Sequence, residues 1–152
     1  MRRLIKNSEV PNDLKIKNEV YLEVGTDKAI EECLESDAFA VCYNSVDETA
    51  IYFIDGKVMS RSVFLHELKH ASQLEYGGWP KGPKRYHSLS DGKDNYDFVN
   101  DRIEAEATEY AIKHTSVAEH RDDIIDGFKW LKANKKRLSS NLILKKLTKR
   151  DW

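Results

Sequence analysis

Residues 50–76 read Ala50-Ile51-Tyr52-Phe53-Ile54-Asp55-Gly56-Lys57-Val58-Met59-Ser60-Arg61-Ser62-Val63-Phe64-Leu65-His66-Glu67-Leu68-Lys69-His70-Ala71-Ser72-Gln73-Leu74-Glu75-Tyr76, and a change of period inside this stretch sets the fold class. The first five residues form a β-branched and aromatic run closed by Asp55-Gly56, which predicts a strand ending in a turn. After Ser60 the period changes. Val63, Phe64, Leu65, Leu68, Ala71 and Leu74 recur at helical spacing and predict a helix over 61–76. Gly77-Gly78 and Pro80 end it.

Working outward, Val20-Tyr21-Leu22-Glu23-Val24 predicts a first strand closed by Gly25, and Asp27 is placed to cap a short helix to about Leu34. Ala38 to Tyr43 predicts a further strand, joined to Ala50–Ile54 by the turn-forming stretch 44–48 as an antiparallel hairpin. Residues 77–97 lack a regular period and hold Tyr86 and His87; loops this long in a compact domain tend to be functional or mobile. Helices are predicted over 98–114, near 118–133 and near 141–149. Strands followed by helices predict an α+β fold. We expect a single domain over 1–152, mainly a small antiparallel or mixed sheet over 1–59 and mainly helical over 60–152.

The chain has 152 residues, enough for one core without staples, and 40% hydrophobic against 34% charged residues is ordinary for a globular domain. No apolar run is long enough to span a bilayer, and the start turns polar at Asn7-Ser8-Glu9, which predicts no secretory leader. Two cysteines, Cys33 and Cys42, make no disulfide framework; they read as buried apolar groups in a reducing compartment, so a cytoplasmic location is expected. Net charge is −1, yet residues 129–150 carry nine basic residues and no acidic one. That run reads as the solvated face of C-terminal helices, with contact to nucleic acid or an acidic partner as the alternative.

His66-Glu67-Leu68-Lys69-His70 is a His-Glu-x-x-His pattern inside the predicted helix. Residues four apart on a helix are offset by about 40° and about 6 Å along the axis, so both imidazoles can reach one metal ion. Glu67 lies about 100° around from His66, beside the metal position rather than among its ligands. This is the arrangement for zinc hydrolysis: two His hold the ion and the Glu takes a proton from water. A third ligand is needed. Glu104 shares a helical face with Ala107, Ala111 and His114, and the two alanines would let that face approach the His66/His70 helix. Glu106 and Glu109 point elsewhere and read as solvated charges. His87 is the alternative third ligand. His87 and Tyr86 are also the candidate donors to a tetrahedral oxyanion, with Tyr110 behind them.

The order of strand, His66-Glu67-x-x-His70 helix, loop, then Glu104-Ala105-Glu106-Ala107-Thr108 before Tyr110-Ala111 resembles the ImmA/IrrE-like metallopeptidases and the wider gluzincin group, over about 51–111. The resemblance implies a zincin-like fold, Zn2+ as cofactor, Glu104 as third ligand, and a protein or peptide substrate, in some relatives a regulatory partner. Thr108 stands where that family carries Asn or Asp, which weakens an expected hydrogen bond to a ligand His. By analogy with zinc peptidases, the 50–54 strand is expected to be the sheet edge that pairs with substrate. A peptidase is therefore the expected function. The alternative is a non-catalytic zincin-fold protein that binds a partner protein or nucleic acid.

Overall fold

The computed structural model describes residues 1–44, 48–76 and 98–149. The run at 19–24 forms strand β2 (Glu19–Val24), and a short N-terminal strand, β1 (Arg2–Leu4), pairs with it antiparallel. Helix α1 (Asp27–Glu35) follows, then strands β3 (Ala40–Asn44) and β4 (Glu48–Phe53), which pair antiparallel as the sequence predicts. The helices α2 (Arg61–Tyr76), α3 (Phe98–His114) and α4 (Val117–Lys149) complete an α+β fold around a mixed four-stranded sheet. No helix among the described residues is long and apolar enough to cross a membrane.

The sheet order is β1-β2-β4-β3, because β2 and β4 run parallel, Val20 beside Thr49 through Val24 beside Phe53. This corrects the expectation that 50–54 is an edge. The crossover through α1 and β3 brings β2 onto the far side of β4, so β4 is interior and β3 is the edge. Interior position explains the composition of β4: Thr49, Ala50, Ile51, Tyr52 and Phe53 are all buried, as a strand covered on both faces requires.

Two further expectations change. Thr26, not Asp27, caps α1, its side-chain oxygen accepting from the Ala29 amide at 3.1 Å; Asp27 is the first helical residue, where its charge suits the helix dipole. The two helices expected over 118–133 and 141–149 are one, α4. The stretch between them, 134–140, holds no glycine or proline. A stripe of buried or half-buried positions (His120, Ile124, Gly127, Leu131, Leu138, Leu142) continues through it at helical spacing. The helix starts at Ser116, whose hydroxyl accepts from the Glu119 amide at 3.0 Å.

Cys33 and Cys42 are buried and unpaired, in line with their reading as packing groups. The N-terminal segment is tied down at two places. Glu75 accepts from the amides of Lys17 and Asn18 at 2.6 and 2.8 Å. Asp13 accepts from the Tyr110 hydroxyl at 2.8 Å and pairs with His114 at 3.0 Å. Tyr110 is thus engaged with the N-terminal segment and is not free to serve an oxyanion.

Two outcomes follow. A methyl group at Gly127 would meet the ring of buried Phe39 at 2.4–2.5 Å. Gly127→Ala, which in an open helix would stabilise by about 1 kcal/mol, should here destabilise by about 1–3 kcal/mol in urea denaturation. A more stable variant would mean that α4 does not rest on Phe39. The Tyr110 hydrogen bond is the largest effect holding the Asp13 carboxyl down to about 2. A depressed carboxyl contributes stability above its unfolded pKa of about 3.9 and loses it as pH falls through about 2. Asp13→Asn should therefore narrow the stability gap between pH 5 and pH 2, and a gap equal to wild type would reject the link.

Candidate metal centre

The site begins with Ser60, whose hydroxyl and carbonyl accept from the Val63 and Phe64 amides and start α2. Val63, Leu65, Leu68 and Ala71 bury one side of this helix against the rest of the core. His66, Glu67 and His70 are carried inside with them, at 5%, 7% and 3% exposure. Burial of three polar side chains on one turn is costly unless each finds a partner. Helix α3 supplies it. Ala107 and Ala111 are fully buried, and through that small-residue face α3 lies close against α2. Glu104, one turn before Ala107, then reaches both imidazoles: Oε1 lies 2.9 Å from His66 Nε2 and Oε2 lies 3.0 Å from His70 Nε2. The two Nε2 atoms are 3.2 Å apart. All three donor groups fall within 4.8 Å of one another.

The protonation of His70 is set from behind. Gln73 Nε2 donates to the Ile103 carbonyl at 2.9 Å and to Glu106 at 3.2 Å, so its Oε1 is left to accept from His70 Nδ1 at 2.8 Å. A proton on Nδ1 leaves the Nε2 lone pair of the neutral ring directed at Glu104 and His66, the tautomer a metal ligand needs. His66 differs. Its buried Nδ1 has no hydrogen-bond partner among the described residues.

Electrostatics follow from the same crowding. Burial alone would push the Glu104 carboxyl up, but hydrogen bonds to His66 and His70 hold it well below the usual range. Burial pulls His70 down, and Glu104 and Glu67 more than restore it, so its affinity for a proton is raised. Two imidazole lone pairs and a carboxylate drawn together in a buried space call for a positive charge among them. Protons can supply it, and so can a divalent cation. The donor set of two His nitrogens and a carboxylate fits zinc with a position left for water. Glu67 stands outside this group. Burial raises its pKa, partly offset by His70 and His66 and reinforced by the Glu104 charge.

One buried cluster beside the site has no counterpart in the sequence reading. His120 of α4 stacks on His66, ring centroids 5.4 Å apart and 25° between planes. Ser62 Oγ donates to Asp123 at 2.7 Å and accepts from His120 Nδ1 at 2.9 Å. That chain holds the His120 ring in place. Burial and His66 lower the pKa of His120, against the pull of Asp123 and Glu104. Ser62 and His120 are 58 residues apart, so no local spacing joins them; the visible trace is His120 and Asp123 on one face of a helix capped by Ser116. Tyr86 and His87 lie outside the described residues. Glu109 is exposed, as expected of a solvated charge, whereas Glu106, also exposed, accepts from Gln73 behind His70.

A cavity of about 630 Å3 opens beside the cluster, bounded by β3, α2, α3 and α4, with His66, Glu67, Glu104 and His120 at its polar end. No protein-family model matches the chain, and neither the curated proteins nor the solved structures compared with it give a match.

Ser62→Ala removes both the acceptor for His120 and the donor to Asp123. It should cost about 1–3 kcal/mol in chemical denaturation, as for a buried polar group stripped of its partner. A change within 0.5 kcal/mol would mean that the chain of hydrogen bonds does not hold His120.

Proposed function

We propose that the chain is a zinc-dependent peptidase of zincin-like fold, with His66, His70 and Glu104 as metal ligands and Glu67 as general base. The observation that carries this reading is the convergence of the three donor groups within 4.8 Å, at the end of a cavity that Glu67 also lines. The placement of the pair on one buried helix, and of Glu104 on the next, is the order that resembles the ImmA/IrrE-like peptidases. A cytoplasmic protein or peptide substrate belongs to the same reading, and so does a regulatory partner of the kind some of those proteins cut.

Zinc would be held by His66, His70 and Glu104, and when bound it would supply Lewis-acid polarisation of a carbonyl and make a water molecule more acidic. The chain's own groups do the rest. Glu67 accepts the proton of the attacking water on its carboxylate, and its buried position favours holding that proton. It then delivers the proton to the departing amine as the C–N bond breaks, leaving a carboxylate and an amine. His120, fixed through Ser62, lines the same cavity beside His66.

Elemental analysis and hydrolysis of a mixed peptide library test the reading together. Wild type and Glu67→Gln should retain about one zinc per chain, while His66→Ala and Glu104→Ala should lose most of it. Glu67→Gln should lower hydrolysis by about 10²–10⁴-fold. Zinc unaffected by Glu104→Ala would move the third ligand to another residue, His87 first. Absence of zinc from wild type after reconstitution would overturn the hydrolase and favour the non-catalytic binding protein.

A further inference from the structure

The outward side of α4 changes character along its length. Glu119, Asp122 and Asp126 are exposed on its first half. Lys129, Lys132, Lys136 and Arg137 follow, all exposed, and none of them makes an ion pair among the described residues. Ile143, Leu144 and Leu147 come last, 56%, 61% and 52% exposed. Lys129, Lys136 and Ile143 are seven apart and Leu147 is four further on, so cations and apolar ridge share one side of the helix over about 27 Å. The inward lysines are accounted for. Lys135, Lys145 and Lys146 pair with Asp37, Asp27 and Glu31, which fixes the side that faces out. Single exposed apolar residues are ordinary, but three adjoining ones at the end of a run of unpaired cations mark a contact surface.

Charge and apolarity together narrow the occupant. A nucleic acid would neutralise the cations through its phosphates, but its bases stack on aromatic and guanidinium planes, and Ile143, Leu144 and Leu147 offer none. A second copy of the chain would pair α4 with α4. Lys132 and Lys136 flank the middle of the helix, so full overlap in either direction sets like charges together. An anionic bilayer surface takes both features. Aliphatic side chains enter the boundary between headgroups and acyl chains, while lysine stems reach back to the phosphates. Lys132, Lys135, Lys136, Ser139 and Ser140 also line an open hollow of about 370 Å3. Its wall carries ammonium and hydroxyl donors and no carboxylate, a setting for a headgroup phosphate.

We propose that the second half of α4 docks the protein on an anionic membrane surface. Ile143, Leu144 and Leu147 insert at the headgroup boundary, and Lys129, Lys132, Lys136 and Arg137 lie on the anionic lipid. The contact is peripheral, since no described helix is long and apolar enough to cross a membrane. Glu119, Asp122 and Asp126 are repelled by the same surface, so α4 meets it by its C-terminal half. The cavity walled by the first half of α4 then stays in water. None of this depends on what the metal centre does.

Co-sedimentation tests this with the 152-residue chain and vesicles of phosphatidylcholine, alone or with about one-third phosphatidylserine. Phosphatidylserine should raise binding at least about tenfold, and raising salt from about 0.05 M to about 0.5 M should remove most of that gain. Two triple variants, Ile143→Gln/Leu144→Gln/Leu147→Gln and Lys129→Gln/Lys132→Gln/Lys136→Gln, should each weaken binding about tenfold or more. All six positions are exposed, so circular dichroism and the unfolding midpoint should stay unchanged. Lys15→Gln/Lys17→Gln/Lys57→Gln removes the same charge from other exposed positions and should bind as wild type. Leu144→Trp should add an emission that moves to shorter wavelength on the anionic vesicles. No gain from phosphatidylserine, an equal loss in the control triple, or an unmoved emission would each overturn the docking. Tighter binding to duplex DNA or to poly-glutamate than to the anionic vesicles would overturn it in favour of nucleic acid or an acidic protein. A dimer that the apolar triple variant dissolves, with no vesicle binding, would overturn it in favour of a second copy.

Discussion

Two imidazole nitrogens 3.2 Å apart, sharing one largely buried carboxylate, form a constraint that the packing around them answers. Lone pairs so placed repel unless a positive charge joins them, and the cost of burying them falls on the helices that carry them. Those helices are correspondingly well held. The alanine face of α3 brings its backbone near α2, Gln73 ties α2 to the Ile103 carbonyl, and Glu75 binds the N-terminal segment to the end of α2. Each is a fixed contact behind the donors rather than among them. A cluster assembled this way has the positions of its nitrogens and carboxylate set by packing.

The asymmetry between the two histidines belongs to the same logic. His70 is oriented by an amide that is itself oriented by a backbone carbonyl. Among the described residues His66 has no such partner on Nδ1, and the ring of His120 stacks on it instead. Stacking fixes the plane of a ring but not the position of its proton. His66 is therefore held by contact and His70 by hydrogen bonding, and α4 becomes part of the support for the centre, though the motif lies entirely on α2.

Much of this was legible in the sequence. The helical period around His66 and His70 gave α2 its limits, 61–76, and small residues one and two turns after Glu104 marked the approach of α3. Such features are local, governed by residues three or four apart. What escaped was set by distant pairing. The parallel alignment of β2 with β4 exchanges edge for interior without changing any residue of either strand, and a buried run such as 49–53 reads alike in both places until its neighbours are known. Ser62 and His120 meet across 58 residues, and neither carries a motif. The length of α4 was hidden for another reason. Ser139-Ser140-Asn141 has weak intrinsic helix preference, but the stripe through Leu131, Leu138 and Leu142 overrides it, as tertiary packing commonly does.

Helix α4 carries the basic run, and three of its residues pair with acidic groups of the domain. Its first half walls the cavity and its second half lies along α1, where Lys135 pairs with Asp37 at 2.6 Å, Lys145 with Asp27 at 2.7 Å and Lys146 with Glu31 at 3.5 Å. Exposed pairs of this sort each contribute little to stability. Their sum is a matter of direction more than strength, since three contacts along one helix fix how it lies across the domain. At the other end Gly127 lets the Phe39 ring touch the helix backbone, and that close approach sets the gap between α4 and β3. The gap is the cavity. Its width follows from one missing side chain, its orientation from a row of ion pairs, and its polar end from the crowded donors on α2 and α3.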